Sequence, residues 1–551
     1  MNKLIYSFFS IALIAMMFTA CSTKQSADMI VHNGVIYTVD STFTVAEAFA
    51  IKDGKFLAIG TDKDILNDYD ADDIIDAQGK AIYPGFYDAH AHFFGLGNVL
   101  DEASLFGATS FEEIVEILKA FRQENPDREW LIGRGWDQNL WPNKAFPNKE
   151  QLDKAFPDVP VYLVRVDGHA AIVNSKAFEI AGITKAQQVE GGLMHEEGGQ
   201  LTGVLIDNAM DLIGNSLPES SEEDWRRMLV KAQDSCLAVG LTTIVDAGLG
   251  RKQIDLLKKL YDEGVLKIRD YAMVALSPAN LDHYLKEGIY ESDKLTVRSF
   301  KIMGDGALGS RGACLLQNYS DANTKGFLLN SPEALDASIA RIAESDFQAN
   351  THAIGDSANR IVLDTYGKYL KGKNDRRWRV EHAQIIDPSD FYKFSKFSII
   401  PSVQPTHATS DMYWAEDRLG ADRMKGAYAY GDLLKEYGML ALGSDFPVEH
   451  FNPLYGFHAA VARVDAKGYP EGGFHPENAI SRIDALRGMT IWAAFASFEE
   501  DTHGSIEKGK AADFVILNDD IMKADNDQLR DIKVLRTVIG GESVFEKAFS
   551  D

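Results

Sequence analysis

Pro84-Gly85-Phe86-Tyr87-Asp88-Ala89-His90-Ala91-His92 reads as a buried strand that ends in two imidazoles. On a strand, side chains two residues apart point the same way, so His90 and His92 face one side of the sheet. Two neutral imidazoles converging at a strand end suit Zn²⁺ or a similar divalent cation. Such a pair alone is weak evidence. It gains weight because four other strand-like segments also end in potential ligands. These are Lys301 in Phe300-Lys301-Ile302-Met303, His352 in Asn350-Thr351-His352-Ala353, His382 in Val380-Glu381-His382-Ala383, and Asp445 in Gly443-Ser444-Asp445-Phe446-Pro447.

Working outward, the quoted stretch falls in the first of eight short buried strands, at 81–92, 241–246, 268–274, 297–303, 347–352, 378–382, 398–403 and 440–445. Helical or loop text separates them, which predicts an α/β fold built on a (β/α)8 TIM-like barrel at about 81–500. The long gap after the first strand is expected to be an inserted subdomain at about 95–235. It holds a helix with a capping box at Ser110/Glu113 and the apolar stripe Ile114, Ile117, Leu118, Phe121. Residues 29–80 alternate like strands around two hairpin signals, Asn33-Gly34 and Asp53-Gly54, and 501–551 carries matching β-text. Neither end closes a sheet alone, so the two are expected to pair in a small β-sandwich domain.

The composition sets the outer limits. Of 551 residues, 45% are hydrophobic and 25% charged, which excludes disorder and collagen-like fibre. Lys and Arg number 56 against 82 Asp and Glu, a net charge of -26, which disfavours nucleic acid and anionic lipid surfaces. Three cysteines exclude a disulfide-stapled scaffold. Cys236 lies on the stripe Trp225, Met228, Leu229, Ala232 and reads as helix core. Lys3 followed by the apolar run to Ala20 reads as a signal peptide over 1–20. Cys21 and the polar tether 21–28 then resemble a lipoprotein start. The expectation is a bacterial cell-envelope protein whose membrane contact is a lipid on Cys21.

Lys301 is the unusual member of the ligand set. A buried ammonium is costly unless paired or neutralised. Two explanations are open: a salt bridge to a neighbouring carboxylate, or a carbamate formed from the neutral amine and CO2, an anionic ligand able to bridge two metals.

Taken in order, these segments resemble the amidohydrolase superfamily, in the YtcJ-like branch that includes N-substituted formamide deformylases. The resemblance extends to Gly168-His169-Ala170-Ala171-Ile172-Val173-Asn174-Ser175-Lys176-Ala177, Lys301 to Arg311, Ser402-Val403-Gln404-Pro405 and Phe446-Pro447-Val448-Glu449. It implies a metal site made by His90, His92, Lys301, His352, His382 and Asp445. One or two divalent ions, zinc in the first instance, are implied, with Lys301 N6-carboxylated in some members. The implied chemistry is hydrolysis of a non-peptide C–N bond in a small-molecule N-acyl or N-formyl amide by metal-activated water. Asp445 would shuttle the proton, and His169 or His382 would stabilise the oxyanion. Two alternatives stand beside it: a hydrolase of cyclic amides or esters on the same site, and a non-catalytic envelope binding protein. A homo-oligomer is compatible with either.

Other features read more plainly. Gly304-Asp305-Gly306-Ala307-Leu308-Gly309 matches a dinucleotide fingerprint but opens no clear helix, so a flexible barrel loop is expected there. Trp136, Asp137 and Trp141 either line a pocket or pack the insert. His407 and Arg418 either touch substrate or sit on the surface. His32, His195, His283, His450, His458, His475 and His503 are expected to be structural or solvated.

Overall fold

The computed structural model describes residues 24–548, so the signal segment and Cys21 lie outside the described residues. Among the described residues no helix is long and apolar enough to cross a membrane.

Eight parallel strands follow one another around a single sheet: β1 (Phe86–Ala91), β2 (Leu241–Leu249), β3 (Arg269–Ala275), β4 (Leu295–Met303), β5 (Gln348–Ala353), β6 (Arg379–His382), β7 (Ile400–Val403) and β8 (Ala441–Leu442). The chain just beyond β8 closes the ring against β1. Asp445 N donates to His90 O at 2.7 Å, and His92 N donates to Phe446 O at 2.8 Å. All eight strand C-termini therefore open on one mouth, where barrel loops carry function.

The first strand is shorter than its apolar text. The run 81–92 splits at Gly85: Ala81–Pro84 joins a different sheet, and only Phe86–Ala91 enters the barrel. The split has a steric cause. A Cβ on Gly85 would lie 2.2 Å from Thr242 Oγ1, whose hydroxyl donates to Phe86 O at 3.3 Å.

That other sheet contains both chain ends. Its order is Glu542–Glu546, Val534–Ile539, Phe514–Leu517, Ala81–Pro84, Val35–Tyr37, Val45–Ala46. A four-stranded sheet of Lys55–Gly60, Ala48–Lys52, Met29–His32 and Asp73–Asp76 shares its core, where Phe49, Phe56, Ile82 and Phe514 meet. Asp53 and Gly54 both have positive φ, as a tight hairpin requires. Asn33-Gly34 is not a hairpin. The strands it joins lie in different sheets, so the turn is a corner between layers.

The insert has its own mixed sheet, built from Ala103–Ser104, Leu131–Trp136, Val161–Arg165, Ala170–Val173, Gln200–Asp207 and Gly192–Glu197. Helix Phe111–Glu124 packs on it, with Ser110 Oγ accepting from Glu113 N at 3.2 Å. The Glu113 carboxylate reaches back to Thr109 N at 2.7 Å rather than to the N-cap residue itself. The insert also ends earlier than 235. Helix Glu222–Leu237 buries Leu229, Ala232 and Cys236 in the same core as Leu241 and Ile244, so it belongs to the barrel.

Because Gly85 is where the chain passes between sandwich and barrel, Gly85→Ala is expected to cost about 1–3 kcal/mol through overpacking against Thr242. A lowered thermal midpoint in a side-by-side melt checks this, and an unchanged midpoint refutes it.

Candidate metal centre

Each barrel strand brings its ligand candidate to the mouth by position alone. His90 lies on β1 and His92 just past it, Lys301 on β4, His352 on β5, His382 at the end of β6, and Asp445 three residues beyond β8. His92 Nε2 lies 3.1 Å from Asp445 Oδ1, and His90 Nε2 lies 3.6 Å from the same oxygen. Lys301 Nζ is 2.9 Å from His90 Nε2. Ring centroids step across the mouth at 4.9 Å from His90 to His382 and 4.4 Å from His382 to His352. Except for His90, which is buried behind them, these side chains line one cavity of about 960 Å³ between barrel and insert. His382 (φ 73) and Asp445 (φ 61) hold left-handed backbone that non-glycine residues seldom adopt.

Surrounding acceptors orient the imidazoles. His90 Nδ1 meets Glu381 Oε2 at 2.5 Å, His92 Nδ1 meets Ala247 O at 2.9 Å, and His382 Nδ1 meets Gln404 Oε1 at 2.8 Å. With each Nδ1–H donating, each Nε2 keeps a bare lone pair, the arrangement that metal-binding histidines use. Burial and the neighbouring Lys301 push His90 down to about 4, so it is neutral at ordinary pH. Burial opposes ionisation of Glu381, yet Arg379 and His90 hold its carboxyl at about 2. Arg379 Nε lies 2.6 Å from Glu381 Oε1 in this fully buried pair.

The donor set fits a divalent cation. Asp445 Oδ1, His352 Nε2 and His407 Nε2 are buried with no hydrogen-bond partner, a costly state for polar atoms. His92 Nε2 and Asp445 Oδ1, 3.1 Å apart, are close enough to share one cation. Burial opposes a charge on Asp445, but contact with His92 and the facing His90 and His382 hold its carboxyl well below the usual range. Two groupings, His90/His92/Asp445 and His382/His407/Asp445, each bring their ligand atoms within 4.8 Å of one another.

Lys301 has no salt bridge. Among the described residues no carboxylate oxygen lies within 4.0 Å of its amine, so the first explanation of this lysine does not hold. Burial lowers it to about 8, against the pull of Glu381 and Asp445, which makes the nucleophilic neutral amine accessible.

His169 reaches the cavity from the insert, its ring 5.2 Å from that of His352. Its Nδ1 meets Asp207 Oδ1 at 2.5 Å. Burial disfavours its charge, but Asp207 outweighs burial and raises its pKa. The glycine-rich stretch exists to make room for these groups. A Cβ on Gly306 or Gly312 would lie 2.4 or 2.3 Å from Asp207 Oδ2, and one on Gly304 would lie 2.5 Å from His352 O. The loop is also pinned rather than free: the Asp305 carboxylate accepts from Cys314 N, Ile354 N and Gly355 N at 2.7–2.9 Å.

The remaining candidates separate clearly. Trp136 and Trp141 pack the insert core and donate to Leu163 O and Ala108 O, whereas Asp137 lines the cavity and pairs with Arg165. His407 is buried, with Nε2 3.7 Å from Asp445 Oδ2 and its ring stacked 6.0 Å from that of His382. Arg418 is buried too, but it binds Asp321 and Asn139 and does not line the cavity. His450 is exposed, in keeping with the structural or solvated role expected of it, and its side chain also borders the cavity. Glu381, Gln404 and Asp207 received no role from sequence. The available signal was Arg379-x-Glu381: two opposite charges spaced to share one side of a buried strand.

Two outcomes are expected. Glu381→Gln loosens His90 and lowers metal affinity 10–100-fold, measured by competition with a chelator; unaltered affinity would remove Glu381 from the site. Lys301, at about 8 folded against an ordinary 10.5, is neutral in the folded chain and charged in the unfolded chain between those values. Unfolding in that window takes up a proton, so metal-free protein gains stability as pH rises from 8 to 10.5. Lys301→Met should abolish that gain, roughly 3 kcal/mol, in urea unfolding across the window.

Comparison with known proteins agrees with this geometry. The sequence model of the amidohydrolase family matches residues 73–545. The putative amidohydrolase YtcJ of Bacillus subtilis is 31% identical over 94% of this chain and 99% of its own. The N-substituted formamide deformylase of Arthrobacter pascens is 26% identical over 96% of this chain and 100% of its own. A crystal structure of an uncharacterized metal-dependent hydrolase from Pyrococcus horikoshii superposes with a TM-score of 0.74 at 28% identity, covering 90% of this chain and 99% of that one. With the family model matching residues 73–545, which take in the barrel and the insert, this chain belongs to the amidohydrolase family.

Proposed function

We propose that the chain hydrolyses the C–N bond of an N-acyl or N-formyl amide, releasing an acid and an amine, with zinc in the His/Asp site. The observation that carries this reading is Asp445, a buried ionised carboxylate with an unpartnered oxygen on the cavity floor, across from the pocket-facing His169. His90, His92, His352, His382, Asp445 and a carboxylated Lys301 would hold the cation, which would supply Lewis acidity toward water and a substrate carbonyl.

The protein's own groups do the rest. Asp445 takes the proton of the attacking water and returns it to the leaving nitrogen. His169, favoured in its charged form by Asp207, donates a hydrogen bond to the carbonyl oxygen as negative charge develops there. His382 is less suited to that task, because its Nδ1 is committed to Gln404 and its Nε2 faces the ligand cluster. Similarity to a formamide deformylase supports the amide class.

Asp445→Asn is expected to abolish turnover of N-formyl and N-acetyl amines while elemental analysis still finds metal. Chelation should silence the natural sequence and zinc restore it. Full activity in the variant, or in chelated protein, would refute the reading.

A further inference from the structure

Arg134 is a guanidinium that makes no salt bridge, with Asp445, Asp167 and Glu102 acting on it only from longer range. It stands on the insert strand Leu131–Trp136, is only partly buried, and lines the same cavity as Asp445 and His169. Its one hydrogen bond among the described residues runs from Nη2 to Val166 O at 3.1 Å. No carboxylate oxygen lies within 4.0 Å, and its Nε is buried without a partner. Its neighbour Arg165 is the contrast, bound by both Asp137 and Asp167. A guanidinium whose fork is left without a paired carboxylate has donors free for an anionic group that enters the cavity.

Its surroundings say where that anion sits. Gly168, the residue before His169, lies beneath the guanidinium: a Cβ there would be 3.1 Å from Nη2, and φ is +77°. Arg134 therefore packs against the backbone that carries His169, and both side chains line the same cavity. On its other side, a Cβ on Gly135 would lie 2.6 Å from the Phe106 ring. Phe106 and Leu140 line the same cavity and remain 40% and 56% exposed, large values for such side chains. A planar cation and apolar side chains thus line the same cavity as the metal-centre residues.

We propose that Arg134 receives a substrate carboxylate, so that the amide cleaved here carries a carboxylate near the scissile bond and an apolar group that rests on Phe106 and Leu140. This rests on the amide-hydrolase reading above and names its substrate class: N-acyl or N-formyl derivatives of apolar amino acids rather than of simple amines. The fork geometry of arginine matches a carboxylate with two parallel hydrogen bonds.

The test uses a pair that differs only in the carboxylate, N-formyl-phenylalanine and N-formyl-phenethylamine, on the zinc-loaded protein. The acid is expected to have at least tenfold higher kcat/KM, and Arg134→Gln should reduce that ratio at least tenfold. In parallel, calorimetry on the Asp445→Asn background should show the acid binding at least tenfold more weakly once Arg134→Gln is added. Arg134→Lys, which keeps the charge but loses the fork, should recover part of both effects and guards against a variant that misfolds. Faster cleavage of the neutral amide, or a preference for the acid that survives Arg134→Gln, overturns the proposal. If neither compound is cleaved but the acid binds in an Arg134-dependent way, the carboxylate site stands and the hydrolase reading falls.

Discussion

The barrel closes through the seam between β1 and the segment beyond β8, and everything at the metal centre depends on that seam. Two backbone hydrogen bonds, Asp445 N to His90 O and His92 N to Phe446 O, join it. Asp88 reinforces it from one strand: its carboxylate accepts from Ser444 N at 3.0 Å and Ser444 Oγ at 2.6 Å. Gly443 lets the two segments meet, since a Cβ there would be 2.4 Å from His90 N. The bonds that complete the sheet therefore also set His90 and His92 against Asp445. Folding and site assembly are one event here, because the ligands are offsets from paired backbone rather than tips of loops.

The two structural layers at the cavity divide the work. Barrel strands supply the ligand set, which needs rigid placement to within fractions of an ångström. The insert supplies His169, Arg134 and apolar side chains to the same cavity. The glycine-rich loop after β4 joins the two, because its missing side chains leave space for Asp207 from the insert and for His352 O from the barrel. That accounts for the glycine pattern: here the backbone makes way for a carboxylate of the same chain.

Much of the site was legible beforehand because strand-end residues obey a short-range rule. His90-x-His92 shares a face by strand periodicity, and the ligands at the other strand ends follow from the eightfold alternation. The errors have equally local causes. Apolar text at 81–92 is continuous, yet a single glycine divides it between two sheets. Helix Glu222–Leu237 follows the insert in sequence but buries its stripe in the barrel. Asn33-Gly34 carries a turn signal, and the turn forms, but no local pattern tells whether the chain comes back to the same sheet or crosses to another. Arg418 and His407 looked alike in sequence, both following the seventh strand. One folds against Asp321 and the other against Asp445.

The sequence by itself determined the fold class, the order of the strands and the identity of the ligand candidates, because hydrophobic period and residue type are properties of neighbours along the chain. Only the tertiary structure decided which nitrogen each imidazole offers, that Lys301 has no carboxylate partner, and that Arg165 is salt-bridged while Arg134 is not. Those outcomes depend on atoms brought together from segments tens to hundreds of residues apart, and on burial, which changes the cost of a charge without changing a letter of the sequence.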